Sequence, residues 1–71
     1  MSGFQSRLRE AMRMNMMSGS ELAHLLHVNP SNVTHYLDGR SRPSLATFVV
    51  LCDVFDVSAD WLLGREPTAC R

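Results

Sequence analysis

Between His27 and Pro43 the chain reads HVNPSNVTHYLDGRSRP, and Ser31, Asn32, Thr34 and His35 gather four short hydrogen-bonding side chains around one helix start. Such groups can donate to, or accept from, the polar edge of a partner. A helix serving only as packing material would be better formed by Glu, Lys or Ala. Arg40 and Arg42 follow in a Gly-Arg-Ser-Arg-Pro loop, where a guanidinium fork can grip an anion through two hydrogen bonds. The stretch therefore either caps and connects helices or presents hydrogen-bonding groups to something else.

The elements that must position these residues follow the helical period. From Phe4, the apolar Leu8, Ala11, Met12 and Met16 fall on one stripe, with Arg7, Arg9, Glu10 and Arg13 mostly off it. This predicts a first helix over residues 3–15. Ser18 to Glu21 has the spacing of a capping box, and the helix behind it carries Leu22, Ala23, Leu25 and Leu26 and stops around His27. Asn29 suits the N-cap of a third helix and Pro30 its first position. Val33, Tyr36 and Leu37 give that helix its apolar side, and Gly39 ends it. Ser44 can cap a fourth helix running to near Asp56. Ser58 can cap a fifth that carries Trp61, Leu62 and Leu63 and closes at Gly64. Strand-like alternation is nearly absent. The expected fold is all-α: a single compact five-helix domain over residues 1–66, with 67–71 as a flexible C-terminal tail.

Composition narrows the function classes. At 71 residues the chain is one small domain. No apolar run approaches the roughly 18 residues that span a bilayer, and residues 1–20 lack the apolar core of a secretion signal. A cytoplasmic protein that makes no membrane contact is expected, with Cys52 and Cys70 as reduced thiols and Cys52 a small buried hydrophobe. His24 and His27 lie at i, i+3 without a third ligand at suitable spacing, so neither metal nor cofactor is expected. The methionines between Met12 and Met17 read as flexible core filler. No nucleophile–base–orienter set is visible, which argues against an enzyme.

Net charge is zero, but it is polarised. Residues 1–42 carry five arginines against three carboxylates, and residues 43–71 carry two against four. All seven basic residues are Arg, the side chain best shaped for phosphate. Only His27, Val28 and Asn29 join the second and third helices. So short a link favours a sharply angled helix-turn-helix, with Leu22, Ala23 and Leu26 packed against Val33 and Tyr36. The outward side of the third helix then begins with the polar cluster, and its amino end offers free N–H groups to an anion.

Over roughly residues 6–66 the sequence resembles the lambda-repressor-like, Cro-type helix-turn-helix proteins of the XRE group. The resemblance rests on RLREAM in the first helix, MSGSELAHLLHVNPSNVTHYLDGRSRPS through the two motif helices and LCDVFDVSADWLLGRE at the end. It implies binding to double-stranded DNA, usually as a dimer on a palindromic operator, to control transcription, most often as a repressor. The setting it implies is a bacterial or phage-encoded protein associated with the nucleoid. Carried over residue by residue, it makes the third helix the reader of the major groove. Ser31, Asn32, Thr34 and His35 become base-contacting, while Ser18, Gly19, Asn29, Arg40 and Arg42 meet the backbone. The chain departs from the family pattern at three positions. Gly19 stands where Gln is frequent, Pro30 where a long polar residue is frequent, and Leu37 where an acid commonly pairs with an Arg of the first helix.

Apolar residues encircle the fourth helix almost completely. This excess implies a second buried surface, a homodimer contact through Val50, Val54, Trp61 and Leu63. A regulatory protein partner is the alternative reading. In it the chain is an antirepressor or antitoxin-type module that keeps the fold without specific DNA binding.

Overall fold

The structure is a computed structural model and describes residues 3–66. Five helices follow one another: α1 (Gly3–Met14), α2 (Gly19–Leu26), α3 (Pro30–Asp38), α4 (Leu45–Phe55) and α5 (Ala59–Leu62). No strand occurs among the described residues. The expected tail, with Cys70, lies outside them.

All five helices feed one core. Leu8, Leu22, Leu51 and Leu62 are fully buried, and Ala11, Ala23, Val33, Tyr36, Cys52, Phe55, Val57 and Trp61 close around them. No polar or charged side chain among the described residues is buried, so the core is held mainly by shape and apolar burial. α2 lies against α3, α1 spans α3 and α5, and α4 backs α2 and α5. The motif thus rests on a frame that grips it from two sides. α1 is also clasped to α5, where the Arg7 guanidinium sits 4.7 Å from the centre of the Trp61 ring.

Serines start three of the helices as expected. Ser18 Oγ accepts from the Glu21 amide at 3.1 Å, and the Glu21 carboxylate accepts from the Ser18 amide at 2.9 Å, completing the capping box. Ser44 and Ser58 accept from the amides of Thr47 and Trp61. Asn29 holds the N-cap position of α3, but its side chain makes no capping bond.

The helix ends share one device. After each helix a residue turns left-handed: Met16, His27, Gly39, Asp56 and Gly64, with φ of 52°, 58°, 79°, 55° and 80°. The next amide then reaches back five residues. Met17 donates to Met12 O, Val28 to Ala23 O, Arg40 to His35 O, Val57 to Cys52 O and Arg65 to Asp60 O, over 2.8–3.0 Å. This closes carbonyls that the helix end would otherwise orphan. Where the turning residue is not glycine, the following residue is Met17, Val28 or Val57, and each packs on the core.

This geometry corrects two sequence expectations. Met16 does not continue the α1 stripe. It is the left-handed residue and is 91 % exposed, while Met17 takes the inward place. Leu25 does not join the apolar body of α2 but stands 44 % exposed.

Candidate nucleic-acid interface

The turn between α2 and α3 is set by His27 in its left-handed conformation and by Val28 tucked against the core. α3 then enters with Pro30 at its first position and buries Val33 and Tyr36. That choice of buried face decides what points outward. Ser31 and Thr34 are exposed, and Asn32 and His35 are half-buried along the same outer side. The side chains of Ser31, Asn32 and His35 make no hydrogen bond among the described residues. Thr34 Oγ1 makes only a long 3.5 Å contact to Pro30 O. All four expected base-facing residues therefore lie together, with polar groups uncommitted to the fold.

Around this surface lie the expected backbone contacts. Ser18 Oγ accepts from the Glu21 amide, and its hydroxyl also meets the Glu21 carboxylate. The amides of Gly19 and Ser20, in the first turn of α2, have no intrahelical acceptor. Glu21 is held as a carboxylate beside them. Its pKa lies below the usual carboxylate value, first because the Ser18 main-chain N–H donates to it and then through the Ser18 side chain. Asn29 is exposed and, with no capping duty, can turn to a partner.

The two loop arginines differ. Arg40 Nε lies 3.9 Å from Asp38 Oδ2, an open surface pair worth little. Arg42 is exposed and has no carboxylate partner among the described residues.

Two residues that hold the α3 surface in place went unnoticed in the sequence. Gln5 Nε2 and Arg9 Nη2 both donate to Leu37 O, each at 3.4 Å. They meet one of the last carbonyls of α3, where the helix dipole is negative. Leu37 stands at the family's usual acidic position, so the α1 arginine takes the main-chain oxygen instead of a carboxylate. The missing acid was the one available signal.

The expected dimer residues divide. Val50 and Leu63 are 40 % and 46 % exposed, and Val54 is half-buried against its own core. Trp61 is 3 % exposed beneath Arg7, so it has no surface left for a second chain, and its expected place at the interface is corrected. Leu45 and Val49, at 85 % and 56 %, offer the uncovered apolar area instead. His24 and His27 are exposed, and no group of three potential ligands able to hold a metal exists among the described residues. No helix among them is long and apolar enough to cross a membrane.

Comparison with known proteins agrees with this geometry. Residues 8–62 match the family described as helix-turn-helix. The HTH-type transcriptional regulator AnsR of Bacillus subtilis is 40 % identical over 60 residues, which cover 84 % of this chain and 52 % of that protein. The chain thus spans about half the length of that relative. A transcriptional regulator from Listeria innocua, known from its crystal structure, shares the fold with a TM-score of 0.85 at 24 % identity. The match covers 96 % of this chain and 64 % of the other. With the two motif helices, their short turn and the outward polar cluster in place, this chain belongs to the XRE-type helix-turn-helix family.

Proposed function

We propose that the chain binds double-stranded DNA in a sequence-specific manner and acts as a repressor, as a homodimer on a palindromic operator. The observation that carries this reading is the division of α3. Val33 and Tyr36 are committed to the core, while Ser31, Asn32, Thr34 and His35 share an outer side with no strong internal hydrogen bond. Laid in a major groove, Asn32 can pair in bidentate fashion with adenine, His35 can donate to guanine and the Thr34 methyl can touch thymine. Ser18, the amides of Gly19 and Ser20, Asn29, Arg40 and Arg42 then fall along the flanking phosphates. A second copy would cover Val49, Val50 and Leu63, which are otherwise exposed apolar surface. Such a regulator would work in a bacterial cytoplasm, in contact with the nucleoid.

Fluorescence anisotropy on operator-like and scrambled duplexes at several salt concentrations tests the reading. Arg42→Ala should weaken all sequences alike and flatten the salt slope by about one unit, whereas Asn32→Ala should relax preference at one base step by about 1–3 kcal/mol. If low salt yields no binding to any duplex, and a co-encoded protein instead forms a stable complex, the protein-binding alternative replaces this one.

A further inference from the structure

A cleft of about 280 Å³ opens between α1, the loop after α3 and the start of α4. Phe4 and Phe48, with ring centroids 6.0 Å apart, line it together with Leu45, Leu63 and Pro43. Four polar side chains lie in its wall, Gln5, Tyr36, Ser41 and Arg42. Tyr36 is only 6 % exposed, yet its phenol finds no hydrogen-bond partner among the described residues. The oxygen keeps contact with solvent and is free to donate to a ligand in the cleft. Arg42 also lines the cleft and has no opposite charge beside it among the described residues.

A largely apolar cleft with unfilled hydroxyl donors at Tyr36 and Ser41 and a cation at Arg42 asks for a particular ligand. It must carry an apolar body, an anionic head and an oxygen able to accept from a phenol. The size is consistent: a cavity of about 150 Å³ accepts benzene, so 280 Å³ has room for a ring and a short acid arm. We propose that this cleft binds a small aromatic or branched monocarboxylate. Its acid group pairs with Arg42 and accepts from the Tyr36 hydroxyl, while its body packs on Phe4 and Phe48. Because Arg42 is also the proposed phosphate clamp, the two ligands compete for one guanidinium, and the acid becomes an effector that loosens DNA. That last step rests on the proposed function; the binding itself does not.

Phenylacetate is a suitable probe, with phenylethanol as its uncharged counterpart. The first measurement is amide chemical-shift perturbation on the full chain without DNA. Phenylacetate should shift the amides of Tyr36, Gly39, Ser41 and Arg42 saturably and leave those of α2 unmoved. Arg42→Ala and the isosteric Tyr36→Phe should each weaken it about tenfold, as expected for losing a hydrogen bond to a charged group. Both variants should retain the wild-type circular dichroism spectrum. Equal binding of phenylethanol would overturn the proposal, as would no saturable shift. So would shifts that follow protein dilution rather than ligand, which would mean that a second copy covers the cleft. The second measurement is operator anisotropy with and without phenylacetate. If DNA binds but the acid does not displace it, the effector step fails while the binding site stands. If no duplex binds at all, the functional proposal fails and the shift data remain independent of it.

Discussion

The Arg7 guanidinium lies over the indole of Trp61, and this stack joins the first helix to the last. α5 has four residues and cannot hold itself together by its own hydrogen bonds. It stays helical because Trp61 and Leu62 are buried and Arg7 covers the indole. Arg7→Ala should cost about 1 kcal/mol from lost cation–π and stem packing. Trp61 is the single tryptophan, so its emission should also shift to the red as water reaches the ring. Urea unfolding followed by tryptophan fluorescence checks both effects. An unchanged midpoint and spectrum would mean the stack does not hold the helices together.

The left-handed residues give predictions of opposite sign. Met16 is almost wholly exposed at φ 52°, so its side chain has little packing to lose. Met16→Gly relieves about 1–2 kcal/mol of backbone strain against about 0.5–1 kcal/mol of added chain entropy, a small net gain. Gly39→Ala should destabilise by about 1–2 kcal/mol, since at φ 79° a methyl is strained and would also press on the Gln5 amide. Denaturant midpoints at constant m-value should rise for the first and fall for the second.

Acid should loosen α2 through Glu21. Its folded-state pKa is lowered from 4.5 by the Ser18 main-chain N–H and then by the Ser18 side chain. The folded form therefore binds fewer protons than the unfolded one. The stabilisation is present above 4.5 and is lost as pH falls through the lower, folded-state value. Glu21→Gln should flatten the acid side of a plot of thermal midpoint against pH and leave the shape above pH 5 unchanged, as about half a unit above 4.5 suffices for ionisation to dominate. Circular dichroism melts across that range measure it.

Gly19→Gln should strengthen DNA binding. A Cβ at Gly19 would meet only Val33 Cγ1, at 3.7 Å, an ordinary contact, so the longer side chain fits without displacing α2 or α3. Its amide would reach a phosphate that glycine can meet only through its backbone. A several-fold gain in affinity is expected, about 1 kcal/mol, for specific and scrambled duplexes alike. Loss of affinity in an anisotropy titration would place the α2 start away from the DNA.

Much of this was legible in the sequence because periodicity, serine caps and a two-helix turn are local features. Leu8, Leu22, Val33 and Leu62 announce the core by spacing alone. Met16 and Met17 could not be ordered, because the helix end is set by a left-handed residue that no glycine marks. Trp61 was read as outward because apolar character does not say which chain covers a side chain; Arg7 and α1 cover it. The contacts of Gln5 and Arg9 with Leu37 were invisible because their acceptor is a main-chain oxygen, which every residue possesses. The four outer residues of α3 were legible for the converse reason: their polar side chains had no nearby use in the fold.

The shared helix endings bear on how such a chain can change over generations. Each stop is made by the main chain curling on itself, with glycine at only two of the five places and Met, His and Asp at the others. The core, equally, holds no buried polar or charged residue among the described residues. Rewriting Ser31, Asn32, Thr34 or His35 therefore disturbs neither a helix boundary nor a buried network. The frame can be redirected to a different target by a few surface letters, with no compensating change inside.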